Sequence, residues 1–209
     1  SMPGKVYAAV LPDDLSGFDE EHQLSLQVIR ENMLKNHGYY KVTEDGVEQC
    51  LISCDDGVYR FTPPESEEQD WTVEKLVDEA ASDAVLVDLD QDGEKELILI
   101  SPFHGEHIYF YKKIDGDYKK VYTYDTADFA HAIYGGTLLG KPAVIIGHRK
   151  GERNLLLFTW EQEKGQYQVE ILDRDCGPAN VFKYERGTEE VLISTNREID
   201  EVAMYTFEK

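Results

Sequence analysis

Histidine, arginine, aspartate and asparagine side chains recur along this chain at similar intervals, next to short apolar runs. One series consists of His37, Asp83, His131 and Asn180, separated by 46, 48 and 49 residues. The second consists of Asp55, His104, His148 with Arg149, and Asn196 with Arg197, separated by 49, 44 and 48 residues. Neutral imidazole can act as a general base or as a metal ligand, and guanidinium groups can hold an oxyanion. Gathered in one place, these groups would suit reactions that move a proton next to a carbonyl group.

Four similar units account for the even spacing. Each contains an apolar segment with a polar turn, which predicts a β-hairpin. A short strand-like run precedes this segment, and in three units a further β-rich run follows it. The units cover approximately residues 36–80, 81–127, 128–175 and 176–209. A four-stranded antiparallel sheet repeated every 45 residues or so, about the spacing found here, is typical of β-propeller blades. The sequence therefore predicts an all-β fold, a single β-propeller domain over residues 1–209; an open meander or a β-sandwich is the alternative.

The N-terminal residues 5–31 do not belong to a complete unit. The runs 5–11 and 24–30 resemble strands, although residues 19–35 also fit an amphipathic helix. Because the last unit lacks an outer strand, we expect residues 5–31 to close the ring by supplying one. One strand then remains, which indicates either a partial fifth blade or a chain that is part of a larger propeller.

The two polar series are expected to meet at one mouth of the propeller channel. In an antiparallel blade, the start of the innermost strand and the end of the second strand lie at the same edge, and the two series occupy those places. Converging polar groups in a concave site are the usual form of a binding pocket. We assign catalytic roles to His104, His131, His148, Arg149 and Arg197. Ligand-binding roles are assigned to His37, Asp83, Asn180, Asn196 and Asp55.

Each of these residues, taken singly, has a simpler structural explanation. An isolated histidine at a strand end is usually hydrogen-bonded and structural. Asn180 follows Gly177 and Pro178 and can satisfy a turn. Arg149 can belong to an exposed, salt-bridged turn, which contributes little to stability. Only the joint spacing of the two series favours a functional site.

A second candidate site is the acidic loop from Asp88 to Glu96. Its predicted metal ligands are Asp88, Asp90, Asp92 and Glu96, with Gly93 permitting a tight turn. Hard cations prefer several oxygen ligands, and this pattern matches the opening of a calcium-binding loop. The loop joins the first and second strands of its unit, so it lies at the end opposite the histidines and would have a structural role. An acidic turn without an ion is the alternative.

Composition limits the partners of the chain. Acidic residues outnumber basic ones 42 to 21, a net charge of −21. Recognition of phosphates needs clustered lysine and arginine, so nucleic acid and anionic membranes are poor partners, whereas neutral sugars, cations or basic proteins are compatible. The three cysteines, an odd number, and the lack of an apolar run long enough to span a bilayer predict reduced thiols in a soluble, cytoplasmic protein. The oligomeric state stays open.

Two stretches resemble known propeller families. The segment DLDQDGEKELILISPFHGEHIYFYKK, residues 88–113, resembles the FG-GAP or VCBS repeat, in which an Asp-rich loop leads into a strand and a Gly-containing turn. The last two repeats, from HAIYGG through GHRKGERNLL and CGPANV to TNREIDEVAMY, resemble the propeller of aldos-2-ulose dehydratase-type proteins. That resemblance implies dehydration or isomerisation of keto-sugars with the help of a divalent metal. This chain departs from the pattern in having fewer repeats and in lacking a cupin domain.

The resulting functional hypothesis is a small-molecule, carbohydrate-type site at one mouth of the channel. It predicts a metal-assisted sugar lyase, dehydratase or isomerase, with a transition metal or Mg²⁺ at the histidine mouth and Ca²⁺ at the acidic loop. The alternative is a non-catalytic propeller that binds a ligand or a protein. A hydrolase with a Ser or Cys nucleophile has little support, because the sequence contains no G-x-S-x-G motif.

Overall fold

The computed structural model describes residues 3–66 and 68–208, and within these ranges the chain forms strands and one 3₁₀ turn. The N-terminal hairpin contains β1 (Gly4–Ala8) and β2 (Gln27–Met33). Blade 1 contains β3 (Tyr39–Glu44), β4 (Val47–Cys54), β5 (Gly57–Thr62) and β6 (Thr72–Val77). Blade 2 contains β7 (Asp83–Val87), β8 (Glu96–Ile100), β9 (Ile108–Ile114) and β10 (Asp117–Tyr124). Blade 3 contains β11 (Ala130–Leu138), β12 (Lys141–His148), β13 (Leu155–Glu161) and β14 (Gln166–Asp173). Blade 4 contains β15 (Pro178–Arg186), β16 (Glu189–Asn196) and β17 (Glu201–Glu208), with the 3₁₀ turn Arg197–Ile199 before β17.

The four blades confirm the predicted all-β propeller. Each is an antiparallel sheet whose strands follow one another in chain order, and blades 1, 2 and 3 have four strands each. Consecutive blades pack face to face, so the β-sandwich alternative does not apply. Among the described residues, no helix is long and apolar enough to cross a membrane.

The core consists of separate apolar layers between neighbouring blades. Successive side chains of a strand point to opposite faces of its sheet. On β8, Ile98 therefore packs towards blade 3, whereas Leu97 and Leu99 pack towards blade 1. All five residues of Glu96–Ile100 are buried, which explains the uninterrupted apolar run after Glu96.

The inner strands of blades 1 to 3 approach one another closely near the propeller axis. The hydroxyl of Tyr40 on β3 donates a 2.9 Å hydrogen bond to the backbone oxygen of Gly135 on β11. A Cβ atom at Gly135 would lie 2.8 Å from the side chains of Val85 and Val87 on β7. Glycine therefore permits the close approach of β11 to β7.

The N-terminal residues do not close the ring in the way the sequence predicts. Within the described residues, β1 pairs only with β2, and β17 pairs only with β16. Val6 and Ile29 pack against an apolar cluster that includes Tyr59 and Phe61 of blade 1, and this packing holds the hairpin beside the first blade rather than the last. Residues 27–33 form a strand, so the helical alternative for residues 19–35 does not occur.

Candidate functional site

Three histidines from three consecutive blades converge at one mouth of the propeller. His37 precedes β3, His104 lies in the loop between β8 and β9, and His131 is near the start of β11. One ligand atom of each imidazole lies within 4.8 Å of the others. The ring centroids are 4.7 Å apart for His37 and His104, 4.4 Å for His104 and His131, and 5.9 Å for His37 and His131. These three residues are called the histidine centre below.

Two of the rings are oriented by backbone carbonyl groups. Nδ1 of His37 lies 3.2 Å from the backbone oxygen of Ser82, and Nδ1 of His131 lies 2.7 Å from that of Ala179. A carbonyl oxygen only accepts hydrogen bonds, so Nδ1 carries the proton in both rings. In the neutral imidazoles, each Nε2 then keeps a lone pair that can bind a metal ion.

The positions of His131 and its partner depend on two β-bulges. The pairing of β11 with β12 shifts register between Ala130 and Ala132, so His131 is the extra residue. In blade 4 the corresponding shift lies between Pro178 and Asn180 and makes Ala179 the extra residue. A bulge redirects a side chain or a carbonyl group away from the regular alternation of its strand.

His104 is the most unusual member of the histidine centre. Its backbone has a φ of 53°, in the left-handed region that costs a residue with a Cβ about 1–3 kcal/mol. Its Nδ1 atom is buried without a hydrogen-bond partner among the described residues. Burial, reinforced by the neighbouring histidines, lowers the pKa of His104 to about 4, and burial also lowers the pKa of His131. Both rings are therefore neutral near pH 7.

Two phenylalanines, which the spacing of polar residues does not predict, flank the histidine centre. The ring of Phe103, 48% exposed, lies 4.3 Å from that of His104 and 5.4 Å from that of His37. The ring of Phe129 lies 5.0 Å from that of His104, and the backbone of Phe129 is also left-handed, with a φ of 58°. The only signal in the sequence was that these residues are close neighbours of His104 and His131.

His148 does not join the histidine centre. It is buried, and both ring nitrogens are used within its own turn: Nδ1 lies 2.9 Å from the backbone oxygen of Lys150, and Nε2 accepts a 3.1 Å hydrogen bond from the backbone N–H of Asn154. Burial lowers the pKa of His148, in keeping with a neutral ring that donates at Nδ1 and accepts at Nε2.

Arg149 lies at the rim of the mouth, beside Phe129. Nε and Nη2 of Arg149 donate to the same carboxylate oxygen of Glu198, at 2.9 and 2.7 Å, and its guanidinium carbon is 5.0 Å from the centre of the Phe129 ring. Arg149 thus joins blade 3 to the 3₁₀ turn of blade 4. Arg197 begins that turn and is exposed.

Asp83 is half-buried at the start of β7, beside the residue that follows His37. A Cβ atom at Gly38 would lie 2.5 Å from Oδ1 of Asp83, so glycine allows the carboxyl group to lie against this backbone. Oδ1 also accepts a 2.9 Å hydrogen bond from the N–H of Ala84. Burial raises the pKa of Asp83 to about 7, despite the opposing effect of that hydrogen bond.

The three remaining predicted ligand-binding residues make local contacts. Asn180 accepts a 2.8 Å hydrogen bond from the N–H of Val181, and the carboxylate of Asp55 lies 3.1 Å from the ammonium group of Lys35. Asn196 is fully buried; it accepts from the hydroxyl of Ser194 at 2.7 Å and donates to the carboxylate of Glu201 at 2.8 Å.

The acidic loop brings Asp88, Asp90 and Glu96 together, with one carboxylate oxygen of each within 4.8 Å of the others. The ammonium group of Lys112 contacts the carboxylate of Asp90, and it lies 3.4 Å from Glu96 and 3.8 Å from Asp92. Burial raises the pKa of Glu96 to about 7. No spacing rule pointed to Lys112, which places a positive charge beside the predicted calcium ligands.

Much of this loop is also satisfied by its own backbone. The two carboxylate oxygens of Asp88 accept hydrogen bonds from the N–H groups of Asp92 and Gly93, both at 3.1 Å. Glu96 accepts a 2.7 Å hydrogen bond from the N–H of Leu89. Calcium binding at this loop stays a prediction, and an ion there would have to compete with Lys112.

Comparison with known proteins agrees with the fold. No protein-family model matches the sequence, and no curated protein matches it. Among solved structures, the chain is similar to a provisionally named 6-phosphogluconolactonase from Bacteroides fragilis NCTC 9343, with a TM-score of 0.51 and 12% sequence identity. The match covers 98% of this chain and 64% of that protein, so this chain spans less than two thirds of its length. At this identity, the similarity shows the propeller fold.

Proposed function

We propose that the mouth binds a small, sugar-like molecule next to a divalent metal ion held by His37, His104 and His131, and that it catalyses a lyase, dehydratase or isomerase reaction. The observation that carries the proposal is the convergence of three imidazoles from three blades, far apart in sequence. Neither the spacing of the strands nor the packing of the blades requires polar rings at this place.

The histidine centre fits a transition metal. His37 and His131 each present an Nε2 lone pair, because Nδ1 is tied to a backbone carbonyl group. Imidazole nitrogen suits Zn²⁺ and other first-row transition metals, whereas Mg²⁺ prefers oxygen ligands. Such an ion would supply Lewis-acid polarisation of a substrate carbonyl group.

Asp83 is the best candidate for proton transfer. A lyase or isomerase of this class must remove a proton from the carbon next to a carbonyl group. A general base works best when its pKa lies near the working pH, and burial raises the pKa of Asp83 to about 7. Oδ1 of Asp83 lies against Gly38, the residue that follows His37, which supports this role.

Three observations support a sugar-like ligand. The exposed ring of Phe103 offers an apolar surface that can stack on the C–H face of a sugar ring. The name of the similar propeller refers to a phosphorylated sugar lactone. The last two repeats also resemble the propeller of a family that acts on keto-sugars.

The free thiols of Cys50, Cys54 and Cys176 support a reducing, cytoplasmic setting as part of this proposal.

The second candidate is a binding module without turnover. Asn180 and Asn196 make local hydrogen bonds, and Arg149 makes a salt bridge with Glu198. These contacts favour the binding module, because in a catalytic site the same polar groups would contact the substrate instead. Such a module would bind metal and ligand at the same mouth but would leave the ligand unchanged.

Metal titration followed by an activity assay tests the proposal. We expect the purified protein to bind one equivalent of Zn²⁺, Co²⁺ or Mn²⁺ with higher affinity than Mg²⁺, and His104→Ala or His131→Ala to lose that binding. His22→Ala, a change at an exposed loop histidine, is the matched control. A keto-sugar panel, followed by the ultraviolet absorbance of an enone product and by the NMR signals of isomers, tests for turnover.

Three results are informative. Turnover that requires the histidine centre and is lost in Asp83→Asn supports the enzyme. Metal and sugar binding without turnover supports the binding module. If neither His104→Ala nor His131→Ala alters metal binding, the proposed centre is wrong.

A further inference from the structure

One face of blade 4 has no neighbouring blade among the described residues. The opposite face packs on blade 3 through Val181, Leu192 and Tyr205. The register of β15, β16 and β17 places three cross-strand rows on the free face: Asn180–Thr195–Val202, Phe182–Ile193–Met204 and Tyr184–Val191–Thr206. Val191 in the third row is itself buried. None of these nine residues is charged, in a chain whose charged residues make up 30% of the total. We call this surface the terminal face.

The terminal face has the composition of a contact between blades. In blade 3, the equivalent row is Tyr134–Ile145–Leu157, and all three residues pack in the apolar layer between blades 3 and 4. In blade 4, Phe182 and Met204 of the corresponding row are 64% and 56% exposed. Val202, in the adjacent row, is 70% exposed. Clustered exposure of this kind marks an interaction surface, since monomers usually expose apolar residues singly.

The other end of the blade series presents a complementary surface. Val6 and Ile29 of the N-terminal hairpin face blade 1. Tyr7 and Val28, directly paired across β1 and β2, lie on the opposite side and are 50% and 44% exposed. This side of the hairpin points away from blade 1. It therefore has the orientation of a blade face that contacts the preceding blade in a propeller. We call it the hairpin face.

We propose that the terminal face of one copy of this chain packs against the hairpin face of a second copy, blade on blade. Each copy carries both halves of one inter-blade contact and leaves several apolar side chains of each half exposed.

Such a contact is head-to-tail, because it joins two different surfaces. A contact of this type leaves one terminal face and one hairpin face free in every dimer, so association continues until the assembly closes into a ring or is capped. The net charge of −21 on each copy opposes association. Salt screens that repulsion while strengthening apolar contact, so association is expected to increase with ionic strength.

Sedimentation velocity and light scattering on the purified chain test this contact. The wild-type protein is expected to show a mass of two or more copies that rises with concentration at high ionic strength. Met204→Lys blocks the terminal face, and Val28→Lys blocks the hairpin face. Each variant alone is expected to be monomeric. An equimolar mixture is expected to give a dimer of one copy of each, because every variant retains the surface that the other lacks.

Val121→Lys, at an exposed position of β10 away from both ends, is the matched control and should associate like the wild type. Circular dichroism identifies any variant that fails to fold, for which Val202→Lys or Tyr7→Lys at the same face is substituted. A wild-type protein that stays monomeric at every concentration and ionic strength overturns the proposal. So does a mixture that stays monomeric, or association lost in only one of the two variants. These outcomes are independent of metal binding and of turnover.

Discussion

The imidazole rings of His104 and His131 stack in parallel, with centroids 4.4 Å apart and an angle of 10° between their planes. One ring comes from the loop that follows β8 in blade 2, and the other from β11 in blade 3. Two protonated rings in this arrangement would repel each other, and burial together with this proximity lowers the pKa of His104 to about 4. The blades therefore hold the pair in the neutral form that metal ligation requires.

Replacement of Asp83 by asparagine is expected to stabilise the protein at alkaline pH. Because burial raises the folded-state pKa of Asp83 to about 7 from an unfolded value near 3.9, the folded state binds more protons between these values and loses stability as pH rises through that range. Asparagine keeps the oxygen that accepts from Ala84 and removes the charge. We expect Asp83→Asn to match the wild type near pH 4 and to be about 1–2 kcal/mol more stable near pH 8. Urea unfolding across this range measures the difference; a constant offset would contradict the assignment.

His148 is expected to affect folding and not the histidine centre. His148→Phe leaves the carbonyl of Lys150 and the N–H of Asn154 without their buried partner, at a cost of about 2–4 kcal/mol in the free energy of unfolding. Zn²⁺ affinity, measured by calorimetry on the folded protein, should stay at the wild-type value. His22→Phe, at a side chain that is 70% exposed, provides the control. A loss of Zn²⁺ affinity in folded His148→Phe would place His148 in the centre after all.

Removal of the Lys112 ammonium group is expected to make the acidic loop responsive to calcium. Lys112→Met leaves the clustered carboxylates without their nearest positive charge, which should lower stability by about 2–4 kcal/mol in calcium-free buffer. Added Ca²⁺ should restore the melting temperature, because a ligand that binds only the folded state stabilises it. The wild type should bind Ca²⁺ more weakly, since the ion competes with Lys112. Lys113→Met is the neighbouring control, and equal calcium responses in the two variants would argue against a cation position here.

The glycine at the inner strand of blade 3 is expected to tolerate no side chain. A Cβ atom at Gly135 would meet Val85 and Val87 at 2.8 Å, so Gly135→Ala must push β11 away from β7 and strain the hydrogen bond from Tyr40. Overpacking of this kind costs about 1–3 kcal/mol. Gly17→Ala, where no atom lies within 4 Å of the added Cβ, is the control. Thermal unfolding of both variants measures the effect, and equal melting temperatures would show that the blades adjust freely.

The repeat pattern predicted the blades well, because each strand carries its own local signal. The run Glu96–Ile100 is apolar on both faces of its strand, since blades pack on both sides. The N-terminal segment lacked such a signal. Residues 24–30 resemble a strand, but the wider segment 19–35 also fits an amphipathic helix. Contacts of Val6 and Ile29 with blade 1, distant in sequence, decide where the hairpin lies.

By itself, the sequence determined that polar residues recur at one edge of four similar sheets, because the period of the repeat places equivalent positions at equivalent edges. Only the tertiary structure decided which of them meet. A side chain at the end of a strand can point towards the channel or back towards its own turn. The spacing of the repeat alone does not distinguish these two orientations. A bulge directs His131 to the centre, whereas the carbonyl of Lys150 holds His148 in its turn. Lys112 lies on the neighbouring strand β9, and its ammonium group contacts Asp90 of the acidic loop, a residue distant from it in the sequence.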